Sequence, residues 1–267
     1  MLTGYTVGTW EGITVHRVTD WLLQGYNRLD SLHPIAHGSG MNCTYLGHSA
    51  FLVEGEELLL LFDHTAGPFA LPATEKALVV FASHRHSDHY DPSIFEFASH
   101  PAGAHFVLSS DIPASDVPDG LDVHWMGPHE QHEVAGVGIE TLRSTDEGVA
   151  FVLEVEGKRL YYGGDLNHWH WEGESEAYNS AMARAYRAEL DRLPAHLDIA
   201  FVPVDPRLGE AYSLGAKDLL ERVAVDVLVP MHFWGDGSVC SRLRGELGEW
   251  DGEVVALDTS PYTWRIA

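Results

Sequence analysis

From residue 41 onward, the chain alternates short apolar runs with turns rich in glycine or charged residues. Runs of about four to eight residues with such boundaries are typical of β-strands, and here they fall into two blocks. The first block predicts strands at Asn42–Leu46, Phe51–Glu54, Leu58–Phe62, Ala77–Ala82, His105–Ser109 and Leu121–Trp125. The second block predicts strands at Gly138–Arg143, Val149–Glu156, Arg159–Tyr162, Asp198–Val204 and Val225–Pro230.

Helical patterns lie between and after these strands. A short helix is predicted over Ile94–Ala98, because Pro92 suits a first helical turn, and another over Leu214–Val223. The clearest pattern spans residues 174–193, where three-to-four spacing predicts a buried stripe of Tyr178, Met182, Ala185, Tyr186, Leu190 and Leu193. Two strand-rich blocks that each carry helices predict an α/β fold, in which two sheets pack face to face and helices cover the outside.

Residues 1–40 differ from the rest of the chain. They are rich in Gly, Thr and His, their periodicity is weak, and only Val18–Leu32 has the pattern of an amphipathic helix. We predict an N-terminal extension at 1–40 followed by one domain at 41–267. The extension covers a sheet edge, forms an oligomer contact, or is a non-native addition, and the sequence leaves these three alternatives open.

The charge balance narrows the classes of partner. The 267 residues include 16 Lys and Arg against 40 Asp and Glu, for a formal net charge of −24. A field of this sign repels nucleic acid and anionic membranes, and no window of the chain is rich in basic residues. The first residues lack a signal-peptide pattern, and no apolar run reaches membrane-spanning length. We therefore expect a soluble cytoplasmic protein that binds neither nucleic acid nor membrane, and homo-oligomerisation stays open.

The sequence His84-Arg85-His86-Ser87-Asp88-His89 directly follows the apolar run Ala77–Ala82. A strand that ends in imidazoles and a carboxylate is a rigid platform for metal. His84 and His86, two residues apart, can converge on one ion, whereas Asp88 and His89 point towards a second. Imidazole with carboxylate suits zinc first, and then iron or manganese. The segment therefore predicts one or two divalent metal ions.

Four features in order along the chain resemble the metallo-β-lactamase superfamily. They are the strand ending at Asp63, the histidine cluster, Gly164-Asp165 at a strand end, and His232 after Val229-Pro230. The segments Thr44–Glu54 and Val229–Phe233 further resemble the branch that contains the ascorbate-6-phosphate lactonase-like hydrolases. The resemblance implies a four-layer αββα sandwich of two mixed sheets, with a dinuclear metal site at one edge between them.

The resemblance also implies a role for each matching residue. His84 and His86 would hold the first metal, Asp165 would bridge the two metals, and Asp63 would support the site from behind. The second metal would be held by Asp88, His89 and His232.

The chain departs from the superfamily at one position. A third histidine for the first metal usually follows the strand that matches Gly138–Arg143, but here residues 144–148 contain none. Asp146 is the candidate replacement, and as an oxygen ligand it would favour manganese, iron or weakly held zinc. The alternatives are a first metal with two protein ligands plus water, or a mononuclear site.

Several residues near the predicted site have roles that the sequence leaves open. His170 is the preferred candidate for a proton donor to the leaving group or an additional ligand, while Trp169 and Trp171 are interpreted as pocket wall. His48 either faces the metals or caps a turn. Arg207 either binds an anionic substrate group or forms a salt bridge.

The resemblance implies a metal-dependent hydrolase in which a metal-bound hydroxide cleaves a small-molecule ester, lactone or amide. Asp88 would orient the nucleophile and accept its proton. A phosphodiesterase and a non-catalytic metal-binding protein with a decayed first site are the alternatives. A diiron oxidoreductase is disfavoured, because that class is expected to carry Glu where His86 stands. Cys43, in a strand-like run, is interpreted as a core residue rather than a nucleophile.

Overall fold

The computed structural model describes residues 9–10, 13–14, 40–65, 69–257 and 261–266. The chain divides into two compact units, Met1–Ser39 and Gly40–Ala267. In the first unit, strands β1 (Thr9–Trp10) and β2 (Ile13–Thr14) pair in antiparallel fashion. The helix predicted at Val18–Leu32 lies outside the described residues, and the boundary predicted at residue 40 stays a prediction.

The six strands of the first sequence block and one strand from the C-terminal part of the chain, β16 (Tyr262–Ile266), form one mixed sheet of seven strands in the order β16-β3-β4-β5-β6-β7-β8. Its members are β3 (Met41–Gly47), β4 (Ala50–Glu54), β5 (Leu58–Phe62), β6 (Ala77–Ala82), β7 (Ala104–Ser109), β8 (Asp122–Met126) and β16 (Tyr262–Ile266). From β16 to β5 neighbouring strands are antiparallel, and from β5 to β8 they are parallel. The carboxyl ends of β5 and β6 therefore lie at the same edge.

The second block forms another mixed sheet of seven strands, in the order β15-β14-β13-β12-β11-β10-β9. Its members are β9 (Gln131–Val134), β10 (Val137–Arg143), β11 (Val149–Val155), β12 (Lys158–Tyr162), β13 (His196–Pro203), β14 (Ala224–Met231) and β15 (Glu253–Val254). Strands β9 to β12 are antiparallel, and β12 to β15 are parallel. This sheet also gathers the carboxyl ends of its parallel strands at one edge.

The two sheets pack through aromatic side chains on their facing surfaces. Phe51 lies 4.8 Å from Phe201 between ring centroids, and Phe62 stacks on Tyr162 at 4.6 Å. Such contacts stabilise the sandwich beyond the area that the rings bury. Cys43 belongs to the same core and is fully buried, and burial raises the pKa of its thiol well above the ordinary value. Its interpretation as a core residue is confirmed.

Helices cover the outer faces. The helical elements are the 3₁₀ helices Pro92–Ser99, Ala114–Asp116 and Pro206–Ala211, and the α-helices α1 (Glu176–Leu190), α2 (Leu214–Leu220) and α3 (Ser238–Leu247). Ile94 and Phe95 pack on the outer side of the first sheet, while Tyr186 and Leu190 belong to the larger core, which contains residues of both sheets. This arrangement confirms the predicted αββα fold. Within the ranges that the structure describes, no helix is long and apolar enough to cross a bilayer.

The stripe predicted on α1 is only partly correct. Tyr186 and Leu190 are buried, but Ala185 is exposed and Tyr178 keeps 43% of its surface accessible. Spacing alone does not show how far the packed face extends around a helix, and Tyr178 lines a cavity instead of the core. Strands β1, β2, β9, β15 and β16 were not predicted.

Candidate metal centre

The predicted ligands lie at the edge where the parallel strands of both sheets end. The segment Ser83–His89 follows β6, Asp165 follows β12, and His232 follows β14. His48 joins them from the turn between β3 and β4. Carboxyl ends of parallel strands are the usual place for ligand-binding side chains in such sheets. The fold therefore converts dispersed sequence positions into one cluster.

The first group of side chains is His48, Asp88, His89 and His232, whose ligand atoms lie within 4.8 Å of one another. Asp88 Oδ2 lies 3.2 Å from His48 Nε2, 3.7 Å from His232 Nε2 and 3.9 Å from His89 Nε2. One carboxylate oxygen is therefore surrounded by imidazole nitrogens. His48, which the sequence left open between metal site and turn, faces the site.

The second group is His84, His86 and Asp165. His84 Nε2 lies 3.1 Å from His86 Nδ1 and 3.6 Å from Asp165 Oδ2. The other oxygen, Asp165 Oδ1, lies 3.1 Å from His89 Nε2 and 3.4 Å from His232 Nε2 in the first group. Each Asp165 oxygen thus faces a different group, which is the geometry that a bridging carboxylate requires.

Several of these atoms are buried and lack a hydrogen-bond partner. They are His48 Nε2, His89 Nε2, His232 Nε2 and Asp165 Oδ1. A buried polar atom without a partner costs about 1–3 kcal/mol, so a protein rarely collects several at one place unless something binds there. Imidazole and carboxylate atoms that converge in this way suit a divalent transition metal. The residues therefore fit the predicted metal.

Asp63 supports this centre from behind. It is fully buried, and its Oδ2 accepts hydrogen bonds from Ser83 Oγ at 2.6 Å and Tyr162 OH at 2.8 Å. The same oxygen lies 2.7 Å from His89 Nδ1. A carboxylate on Nδ1 leaves Nε2 of that ring free to bind metal and fixes the ring's orientation. These contacts are those expected of the supporting role predicted for Asp63.

Asp205 orients the ring of His232 in the same way that Asp63 orients the ring of His89. This role of Asp205 was not predicted from the sequence. Asp205 Oδ2 lies 3.0 Å from His232 Nδ1 and accepts a hydrogen bond from Trp234 Nε1 at 3.2 Å. Arg207 donates hydrogen bonds to both carboxylate oxygens of Asp205, so this arginine forms a salt bridge. Burial alone would raise the pKa of Asp205, but hydrogen bonds from His232 and Arg207 lower it to about 2.

Three residues of the centre have backbone torsions in the left-handed region. The φ angles are 50° at His48, 41° at Asp63 and 60° at His232. Non-glycine residues in this region carry strain of roughly 1 kcal/mol or more, which the surrounding structure must offset. The strained turns direct these side chains into the site just after, or between, regular strands.

The charges within the cluster favour a bound cation. Burial alone would lower the pKa of His89, but the nearby carboxylates of Asp165 and Asp63 raise it to about 10. Burial and the neighbouring His89 lower the pKa of His84 to about 4. Although burial disfavours its charge, Asp165 has a pKa well below its ordinary value because His89 and His232 lie beside it. The carboxylates are therefore ionised, and a proton on His89 partly balances them.

This charge pattern predicts a linkage between metal and protons. In metal-free protein, we expect His89 to carry protons on both ring nitrogens at pH 8, where a histidine of ordinary pKa is neutral. Metal must displace the proton from Nε2, so metal affinity should rise with pH between about 7 and 9. Nitrogen-15 NMR of the chelated protein, before and after zinc is added, measures this. A neutral His89 at pH 7 in metal-free protein would contradict the prediction.

A cavity of about 300 Å³ opens onto the cluster. Carboxylates and aromatic rings line it together: Asp88, Asp146, Asp165, Trp169, Trp171, Tyr178 and Trp234. Trp169 and Trp171 stack with centroids 6.2 Å apart, and Trp169 Nε1 donates to the carbonyl oxygen of Asp165 at 2.9 Å. The two tryptophans therefore form pocket wall, as their sequence interpretation held.

A family model described as a β-lactamase superfamily domain matches residues 42–232. The chain belongs to the metallo-β-lactamase superfamily. A UPF0173 metal-dependent hydrolase of Pelotomaculum thermopropionicum is 26% identical over 216 residues, which cover 72% of this chain and 84% of that protein. A second UPF0173 metal-dependent hydrolase, from Methanocorpusculum labreanum, is 27% identical over 206 residues, which cover 72% of this chain and 83% of that protein.

Solved structures show the same superfamily fold. Igni18, a metallo hydrolase of Ignicoccus hospitalis, matches with a TM-score of 0.59 and 19% identity, over 85% of this chain and 99% of its own. YhfI of Bacillus subtilis, a metallo-β-lactamase fold protein, matches with a TM-score of 0.58 and 15% identity, over 85% of this chain and 100% of its own. The finer resemblance to the ascorbate-6-phosphate lactonase-like branch stays a prediction.

Asp146 lies at the departure from the superfamily pattern. Its Oδ2 is 3.9 Å from His86 Nδ1, and its side chain lines the cavity, but it is not one of the atoms that converge with His84 and Asp165. Burial and the neighbouring Asp165 raise its pKa. Its loop packs tightly, because a Cβ at Gly148 would lie 2.1 Å from the carbonyl oxygen of Ser83. Asp146 therefore lies beside the second group, next to His86.

His170 is placed elsewhere. It lines a separate cavity of about 410 Å³ together with His168 and acidic residues of the following segment, and it does not line the cavity that contains Asp88. His170 was the preferred proton donor or additional ligand because it lies five residues after Asp165 in the sequence. The ring centroid of Trp169 lies 5.6 Å from that of His232, whereas the next side chain, His170, faces the other cavity. The structure does not bring His170 to the site.

Proposed function

We propose that the chain is a hydrolase that cleaves an ester, lactone or amide bond of a small molecule, with one or two divalent ions and zinc as the first choice. Its broader class, a metal-dependent hydrolase, agrees with the names of its relatives. The observation that carries the proposal is Asp165, whose two oxygens face two separate groups of buried imidazoles. Six predicted ligands converge there: His84, His86, Asp88, His89, Asp165 and His232.

The residues at this site have different roles in the proposed hydrolysis. A divalent metal, when bound, supplies Lewis acidity and lowers the pKa of water. Asp88 is about one-third exposed, lines the cavity, and has a pKa well below its ordinary value because His48 lies beside it. It is therefore an ionised carboxylate positioned to orient a water molecule and accept its proton. Asp63 and Asp205 keep the rings of His89 and His232 oriented throughout.

The cavity and the overall charge support a small-molecule substrate. About 300 Å³ is at the lower end of the usual size of small-molecule sites, and its tryptophan walls suit a substrate with an apolar or aromatic portion. Arg207 is already paired with Asp205, so it is not a free anion-binding group. The net charge of −24 argues against a nuclease and supports a protein that binds neither nucleic acid nor anionic membrane. A cytoplasmic location remains part of the proposal.

The test is a substrate panel on protein that has been chelated and then reloaded with zinc, manganese or iron. The panel contains a p-nitrophenyl ester, an aromatic lactone, a p-nitroanilide and bis(p-nitrophenyl) phosphate. We expect metal-dependent turnover of one of the first three that disappears on chelation. Turnover of the phosphodiester alone would replace the proposal with a phosphodiesterase. Protein that retains metal but turns over none of the four would favour a non-catalytic metal-binding protein.

We also propose that Asp146 completes the first metal position in place of the missing histidine. Asp146→Ala is then expected to lower metal content by one ion per chain relative to wild type, by elemental analysis after exchange into metal-free buffer. Asp226→Ala is the control, because that exposed carboxylate pairs with His196 and lies at the start of β14, at the opposite end of the strand from His232. Equal metal content in wild type and Asp146→Ala would show that Asp146 is not a ligand.

A further inference from the structure

A third cluster of histidine and carboxylate lies away from the metal centre, on the last two strands of the first sheet. His105 lies on β7, and Asp122 and His124 lie on β8. His105 is the register partner of Asp122, so their side chains stand on the same face of the sheet. Asp122 and His124 are two residues apart on one strand and therefore share that face as well.

The distances within this cluster suit metal coordination. Asp122 Oδ2 lies 2.5 Å from His105 Nδ1, and Asp122 Oδ1 lies 3.2 Å from His124 Nε2. All the candidate ligand atoms lie within 4.8 Å of one another. In a tetrahedral zinc site, with ligands at 2.0–2.2 Å, neighbouring ligand atoms are roughly 3.4 Å apart. Small side-chain rotations would bring the cluster to that spacing.

One nitrogen of the cluster has no hydrogen-bond partner. His124 Nε2 is buried from solvent and unpartnered, although it faces the Asp122 carboxylate. An ordinary surface ion pair would satisfy this atom, as His105 Nδ1 is satisfied by Asp122. A bound cation would satisfy the nitrogen and balance the carboxylate together. The net charge of −24 also raises the concentration of cations near the protein surface.

A fourth imidazole approaches from the other sheet. His132 lies on β9, and its ring centroid is 6.5 Å from that of His124, with the rings nearly perpendicular. Strands β8 and β9 are the end strands of the two different sheets. An ion held by His105, Asp122 and His124, with His132 or water in the remaining position, would therefore link the two sheets at their shared end.

This cluster cannot share an ion with the metal centre. His105 pairs with Val79, near the start of β6, whereas the ligands of the centre begin at His84, after the end of β6. Five residues of extended chain span roughly 16 Å, far more than the distance between two ligands of one metal. The two sites therefore lie at opposite ends of the strands of the first sheet.

We propose that His105, Asp122 and His124 form an additional binding site for a divalent transition metal of the zinc class, separate from the catalytic centre and structural in its effect. The site is reached from solvent, since the His105 and His124 side chains are 31% and 29% exposed. Ligands of two nitrogens and one oxygen suit zinc, cobalt(II) or nickel(II) rather than magnesium or calcium.

The test uses the full chain, stripped with a chelator and titrated with Zn²⁺. We expect wild type to hold one more zinc ion per chain than His124→Gln, and zinc to raise the Tm of wild type more than that of the variant. Asp165→Asn should reduce occupancy of the catalytic centre while leaving the ion of this cluster in place. His196→Gln is the matched control, because His196 forms a similar exposed pair with Asp226 at 3.0 Å but belongs to no three-ligand group among the described residues.

A second measurement does not depend on any variant. NMR of the wild-type imidazoles during the zinc titration should show the signals of His105 and His124 changing at their own zinc concentration, distinct from those of His89 and His232. Equal zinc content in wild type and His124→Gln, or unchanged His105 and His124 signals at saturating zinc, would overturn the proposal and leave a simple hydrogen-bonded cluster.

Discussion

Replacing Asp165 with asparagine is expected to lower metal occupancy of the catalytic centre and to reduce hydrolysis by at least about 100-fold, because even outer partners of metal ligands contribute about 10- to 100-fold. Asparagine has the same shape but presents an NH₂ group to one of the two histidine groups. Asp165 Oδ1 faces His89 and His232, whereas Oδ2 faces His84. Either orientation of the amide therefore removes an acceptor from one metal position.

Metal per chain and kcat/KM on the best substrate of the panel measure this effect together. Asp218→Asn is the matched control, because Asp218 is also buried and lies 2.8 Å from a histidine, His168, outside the cluster. That variant should lose stability but keep its metal and its activity. Full metal content and full activity in Asp165→Asn would show that the carboxylate does not bridge.

The strands and the cluster His84–His89 were predictable because each depends on patterns that are local in the sequence. An apolar run that ends in a polar cluster, as Ala77–Ala82 does before His84, marks both a buried strand and the edge at which it ends. Parallel strands bring such ends together without further information. The resemblance then supplied the partners Asp165 and His232, which local pattern alone could not assign to the same site.

The supporting residues could not be predicted in this way, because their contacts depend on side-chain packing between distant segments. Asp205 lies 27 residues before His232, and its sequence context, Asp205-Pro206-Arg207, directed attention to the arginine. The pairing of β16 with β3 joins the two ends of the domain and leaves no local signal. His170 shows the opposite error, because closeness in sequence to Asp165 did not place it in the same cavity.

Although the third histidine of the superfamily pattern is missing, a carboxylate lies beside His86 in the structure. The loop at residues 144–148 carries Asp146 to within 3.9 Å of His86, so a carboxylate lies near the position that the superfamily usually fills with imidazole. Its raised pKa reflects both burial and repulsion by Asp165, and a cation between the two would relieve that repulsion. If Asp146 binds as proposed, a carboxylate in place of a neutral imidazole changes the kind of ligand and adds one negative charge to the site.

Asp63→Asn is expected to lower the free energy of unfolding by about 2–4 kcal/mol and to weaken metal binding about 10- to 100-fold. The φ angle of 41° at this position suits asparagine, so the backbone should persist and the effect should come from the side chain. Asp63 Oδ2 meets Ser83, Tyr162 and His89 at once, and an amide cannot accept from all of these donors with the same strength. Thermal unfolding of metal-free protein measures the change in unfolding free energy, and zinc titration measures the change in metal binding.

Asp226→Asn, at an exposed carboxylate, is the control and should change neither quantity. A change in unfolding free energy below about 0.5 kcal/mol for Asp63→Asn, within the range of ordinary surface substitutions, would mean that the hydrogen bonds to Asp63 do not hold the metal-binding edge together.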